Sequence, residues 1–247
     1  MRSILKTLGA TAVVMAVAAV PAAANHSWGG YHWARTANPF TVQLGDNVSA
    51  AWDAELAQAS SDWSAKTAGN PLRTTVTTGG TTPRKCRPTA GRVEVCDAEY
   101  GNNRWLGLAT ISAKGGHITQ GTVKMNDTYY NAPAYDTPIW RASVLCQEVG
   151  HTFGLDHQDT SGADFNTCMD YATNPDADNT HPNRHDYEEL ALIYAHLDAT
   201  TTIAMSSQQS AKPYRTDRRD SRKTSTITEH FADGSVRVTF IVWATKA

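Results

Sequence analysis

The stretch Gln147-Glu148-Val149-Gly150-His151-Thr152-Phe153-Gly154-Leu155-Asp156-His157 decides how this chain is read. Upstream, Thr137-Pro138 is a helix opening: threonine can cap the first amides, and proline suits the first helical position. The spacing predicts a helix from there to about Phe153, stopped by Gly154, which accepts positive φ. On such a helix residues 147 and 151 lie four apart and share a face. Glu148 is one step around, and the turn at Gly154 lets His157 return to the same point. Two imidazoles beside a carboxylate suit a metal ion whose water is deprotonated by a general base, with Glu148 as the base and not a ligand.

The elements around this helix read as an α+β chain. Phe40 to Leu44 is a short strand. Val48 to Ala65 carries Val48, Ala51, Trp52, Leu56, Ala59 and Trp63 at helical spacing, with Asp46 or Asn47 as cap. Leu72 to Thr78, Trp105 to Ser112 and His117 to Asn126 are strands, the last with Gly121 permitting a bulge. Irregular polar chain fills Asp156 to Arg184. A last helix near His185 to Leu197 turns Tyr187, Leu190, Ile193, Tyr194 and Leu197 to one face. Residues 201–226 read as a polar linker, and 227–247 as a β-hairpin extension around Asp233-Gly234.

With these residues in place, the chain resembles the metzincin metalloproteases, whose motif is H-E-x-x-H-x-x-G-x-x-H. Every specified position but the first is matched, and Leu155 after the glycine is similar to matrixin-like members. Cys168-Met169-Asp170-Tyr171 resembles the Met-turn of that family, in the Met-x-Tyr form of astacin- and serralysin-like members. Leu106-Gly107-Leu108-Ala109 is similar to the edge strand that pairs with peptide substrate. The resemblance implies a metzincin-like catalytic domain over residues 25–200, with a twisted mixed sheet, two long helices, a Met-turn and a C-terminal helix. It implies a secreted zinc-dependent endopeptidase in which Glu148 activates a zinc-bound water. Zn²⁺ would be held by His151, His157 and residue 147. Tyr171 would steady the oxyanion, Met169 would underlie the metal, and Gly107, Leu108 and Ala109 would receive a peptide or protein substrate.

Gln147 stands where the first zinc-binding histidine belongs. An amide oxygen is a weaker zinc donor than imidazole nitrogen. Three readings follow: Gln147 ligates through Oε1; Tyr171, His181 or His185 completes the set; or the site binds metal poorly. The last favours a protease-like binding module without catalysis. A further alternative is a cell-wall or matrix-binding protein led by the C-terminal hairpin. His181 and His185 also read as surface residues near a helix start, Met169 as core packing, His117 as a strand-end residue, and the tryptophans as core.

The chain has 247 residues, 40% of them hydrophobic and 19% charged, as expected of a soluble globular domain. Arg2, Lys6, the apolar run Leu8 to Val20 and Ala22-Ala23-Ala24 read as a signal peptide over residues 1–24, with the mature protein starting at Asn25. No later stretch is long and apolar enough to span a membrane. Export makes disulfides the expected state of the four cysteines. Three connectivities are open, and Cys86–Cys96 with Cys146–Cys168 is the expected one. Residues 25–200 carry 12 Lys and Arg against 20 Asp and Glu, whereas 201–247 carry 8 against 4. An acidic body with a basic tail argues against nucleic acid as the partner, and a monomer is expected.

Overall fold

A computed structural model describes residues 26–158, 163–170, 175–202, 212–221 and 223–245. The expected signal peptide, residues 1–24, lies outside them. Its body is a mixed sheet backed by helices. The strands are β1 (His32–Trp33), β2 (Phe40–Asn47), β3 (Leu72–Thr78), β4 (Val93–Ala98), β5 (Trp105–Lys114) and β6 (His117–Asn126). Strands β2, β3, β4 and β6 run parallel, and β5 is antiparallel to β6. Helices α1 (Asp53–Trp63) and α3 (Pro138–His151) pack on each other and on the sheet. Between β6 and α3 lies the short α2 (Asp127–Tyr130), and α4 (Arg184–Ile193) follows the site. The core joins Leu44, Val93, Val95, Ile111 and Val123 of the sheet to Trp63, Leu145, Val149 and Phe153 of the helical layer.

Local chemistry explains most boundaries. The Thr137 side chain accepts from the Trp140 amide, with Pro138 at the first turn. Asn183 and Asp186 form a reciprocal capping box on α4. Gly154 has φ +95°, and a Cβ there would sit 2.1 Å from the Tyr31 carbonyl oxygen. Only glycine meets both demands. Several expectations shift. Helix α1 starts at Asp53, because Asp46 and Asn47 still belong to β2, and Asn47 spends its amide on Gly45 and Glu94. The bulge on β6 falls near Thr119, two residues before Gly121, where the register with β5 slips.

The largest correction concerns the C-terminus. Arg215–Asp220 is a strand, β7, so this part of the 201–226 stretch is not linker. Strands β7, β8 (Thr224–His230) and β9 (Ser235–Trp243) form an antiparallel meander. Strand β9 then pairs along β5, so the meander is no separate extension but continues the body's sheet in the order β3-β2-β4-β6-β5-β9-β8-β7. Both expected disulfides are formed, Cys86–Cys96 and Cys146–Cys168. No helix among the described residues is long and apolar enough to cross a membrane.

A buried carboxyl pair gives the fold a pH dependence. Burial, and then a hydrogen bond with Asp97, push the Asp127 carboxyl up to about 7. The folded state therefore holds a proton that the unfolded chain releases near 3.8. The stabilisation is full below that value and is lost as pH rises through about 7. Asn at this position keeps the bond accepted from Trp52 Nε1 without titrating. Melting curves from pH 5 to pH 8.5 are expected to show a fall in Tm for the wild type that is clearly smaller in Asp127→Asn. Parallel curves would refute the shared proton.

Candidate active site

Helix α3 ends in the site. Its C-terminal half buries Gln147, Glu148 and His151, with the last two fully inaccessible. His151 Nδ1 donates to the Leu155 carbonyl oxygen at 2.9 Å. That bond fixes the tautomer and leaves Nε2 with a lone pair, and this buried Nε2 has no hydrogen-bond partner. The turn at Gly154 brings His157 back, so that the two rings lie 4.5 Å apart between centroids. His157 Nδ1 is 3.3 Å from Asp156 Oδ1. Each imidazole thus has Nδ1 on an oxygen, the arrangement that orients metal-ligating histidines. Burial, then the neighbouring His157, push His151 down to about 3, which keeps it a neutral donor. Burial alone would raise Asp156, but the hydrogen bond and charge of His157 outweigh it and hold this carboxylate ionised.

Glu148 lies against β5. A Cβ on Gly107 would meet Glu148 Oε1 at 2.6 Å, so the glycine makes room for the carboxylate. Burial raises the Glu148 pKa well above the ordinary carboxylate range. The Ala109 backbone amide offers partial relief without the alignment of a good hydrogen bond. A carboxyl poised this way takes up a proton readily.

Beneath the helix, the fully buried Met169 packs against Gly150, where a Cβ would come within 2.6 Å of the methionine sulfur. The Cys146–Cys168 bridge ties this turn to α3. Gln147 makes a second tie: its Nε2 donates to the carbonyl oxygens of Cys168 at 2.9 Å and Asp170 at 2.8 Å. The nitrogen end is thereby committed to the methionine turn, and only Oε1 remains for a metal. The side chain also borders a small cavity of about 30 Å³ closed by Lys223, Thr224 and Val242.

The other candidates for a third ligand sit elsewhere. His185 stacks on His26 and clusters with Asp186. His181 pairs with Asp62 at 2.8 Å on an exposed face. Tyr171 lies outside the described residues. Two imidazoles and a carboxyl are therefore assembled, and position 147 supplies an amide.

Gly107, Leu108 and Ala109, expected on an open edge that pairs with substrate, lie on a strand flanked on both sides. These residues pair with Met125, Lys124 and Val123 on one side and with Val242, Ile241 and Phe240 on the other. The edge expected to receive a peptide is filled by the chain's own β9. Phe240 is fully buried and stacks on His151, with 4.1 Å between centroids and 4° between planes. Over the rim, Arg219 reaches Asp156 Oδ2 at 3.1 Å and lies 4.2 Å from the Trp28 ring centre. A groove of about 710 Å³, lined by His26, Trp28, Asp156, His157, Arg219 and Thr228 among others, leads to the His157 side.

No family model matches the chain, and no curated protein does. Among solved structures, that of myroilysin is similar, with a TM-score of 0.36 and 12% identity over 66% of this chain and 96% of that one. A likeness at this level identifies no family, so the chemistry has to come from the side chains.

The site's cover was invisible in the sequence because it depends on contacts across about ninety residues. The one available signal was composition: Val236, Val238, Phe240 and Val242 alternate as one face of a strand that needs a core to bury it.

Proposed function

We propose that this chain is a metal-dependent endopeptidase of the metzincin type, held latent by its own C-terminal strands. The observation that carries the reading is the buried His151 Nε2: its lone pair is fixed, it lacks a protein partner, and it lies beside His157 and just under one helical turn from Glu148. An apolar pocket has no use for such an atom, since an unpartnered buried polar group costs about 1–3 kcal/mol. A zinc-class ion satisfies it.

His151 and His157 would hold the metal, with Gln147 Oε1 as a weak third donor. Zinc, when bound, polarises a peptide carbonyl and acidifies water. Glu148 accepts the proton from the attacking water and passes it to the departing amine nitrogen. Its burial supports this by favouring the protonated form. The disulfide and the Gln147 bonds hold the methionine turn under the helix, so the histidines keep their spacing. Substrate would bind as a strand along β5 after β9 has left. Secretion in soluble form fits the two disulfides.

A second reading, a protease-like binding module, is favoured by the commitment of the Gln147 amide to backbone. Zinc titration decides between them. The wild type is expected to bind zinc, His151→Ala to lose it, and Gln147→His to bind at least about tenfold more tightly, because an imidazole replaces an amide oxygen. The same exchange should lower the Tm of the metal-free protein, since two buried carbonyls lose their donor. A wild type that takes up no zinc at its His151 site would favour the binding module.

A further inference from the structure

A second constellation of histidines stands apart from the site just described. His32 begins β1, and its Nδ1 donates to the Gly30 carbonyl oxygen at 2.9 Å. Its Nε2 therefore presents a lone pair. That atom faces Asp198 Oδ1 at 3.4 Å and His196 Nε2 at 3.1 Å. His117 Nε2 approaches the same carboxylate oxygen at 3.1 Å, and His196 Nε2 approaches it at 3.5 Å. The His32 ring stands nearly perpendicular to His117, at 89°, and to His196, at 87°.

The carboxylate is fixed from behind. Asp198 Oδ2 accepts from the Arg35 amide at 3.1 Å and from its guanidinium at 2.8 Å. The other oxygen, Oδ1, is thus aimed at the imidazoles. Asp198 and His32 are largely buried, with side chains 8% and 10% exposed.

The His32 lone pair faces the Asp198 carboxylate oxygen, acceptor against acceptor, and a cation between them satisfies both. A proton on one imidazole satisfies only one of the contacts. Ligands about 2.0–2.1 Å from a tetrahedral zinc are separated by roughly 3.3–3.4 Å. Four of the separations in this cluster lie between 3.1 and 3.5 Å, close to that edge.

We propose that His32, His117 and Asp198 hold a zinc-class divalent cation, with His196 beside them at the rim. The donors tie separate segments of the chain together, so the ion acts structurally. Arg35 on Asp198 and the Gly30 carbonyl on His32 are the outer partners that orient the ligands. The ion joins the start of β1, the β5–β6 turn and the chain beyond α4. These three pieces come from opposite ends of the body.

The test uses the full secreted chain with zinc alone as probe. The double variant His151→Ala/His157→Ala first removes the other candidate site, so the outcome does not depend on the peptidase reading. This variant is expected to retain one equivalent of zinc after gel filtration, and to lose several degrees of Tm on chelation. Cobalt substituted for zinc should give the intense visible bands of a tetrahedral ion. Adding His117→Ala and His196→Ala should abolish the zinc, the cobalt bands and the chelator effect. Both residues are partly exposed, so the variant should fold, as circular dichroism will verify. A folded double variant with no zinc overturns the proposal. So does zinc that survives the further substitutions, or a Tm that follows pH while ignoring chelator.

Discussion

Cutting the chain between β7 and the body is expected to turn a silent protein into an active peptidase, and Phe240→Ala to deepen the change. A cleavage site placed within residues 203–211 provides the cut ahead of β7. In the intact chain β9 is held at a very high effective concentration, so its pairing with β5 competes with any peptide in trans. After the cut the meander is a separate fragment that must rebind. Phe240 supplies much of its hold, buried between His151 and Trp28. Truncation of such a phenylalanine costs about 3 kcal/mol or more, on the order of a hundredfold in dissociation constant. The nicked wild type should hydrolyse an unstructured peptide measurably faster than the intact chain. Nicked Phe240→Ala should be faster still, and an excess of peptide 212–245 should suppress both. Arg219 adds a salt-sensitive contact at the rim, so activity of the nicked form should rise with ionic strength. If nicked Phe240→Ala keeps its fold and disulfides yet is as inactive as the intact protein, β9 is not what silences the site.

The cover and the site obey the same physical logic. An edge strand beside a metal centre must offer unpaired amides and carbonyls to a substrate, which also makes it a template for any other strand. On the proposed reading, burying Val238, Phe240 and Val242 against it would protect that edge until substrate arrives. The mode is β-augmentation carried out in cis.

How much of this was legible varies with the range of the interaction. Helix α3, its Thr137 cap and the strands β3 and β6 follow from local pattern, and so does the meeting of His151 with His157, eleven residues in all from Gln147. Strand β4 is not among the elements that local pattern reveals. Its Glu94 and Asp97 interrupt the apolar run, and they are tolerated inside because Arg92, Asn47 and Ser49 pair with them. Strand β7, with the sequence Arg-Thr-Asp-Arg-Arg-Asp, has no buried face to signal it; it is an exposed outer strand. The docking of β9 on β5 and the gathering of His32 with Asp198 depend on three-dimensional closure, which no window of sequence contains.

Glu148→Gln in the nicked protein is expected to abolish turnover while leaving zinc in place. The two side chains are nearly isosteric, so the space made by Gly107 and the packing against Val144 should persist. What is lost is a group able to take a proton from water and deliver it to the leaving amine. General acid–base catalysis of this kind contributes about 10²–10⁴ in rate, and that is the expected fall in kcat. KM should move little, because the proton transfers through Glu148 act in the transition state and not in ground-state binding. Stability should rise or stay level, since an uncharged amide removes the cost of ionising a carboxyl inside the core. Metal content is the discriminating readout. A variant whose zinc falls in step with its activity would make Glu148 a ligand. One that keeps full turnover would move the proton-transfer role to another residue. Only loss of kcat with zinc, KM and Tm preserved fits a general base standing beside the His151–His157 pair.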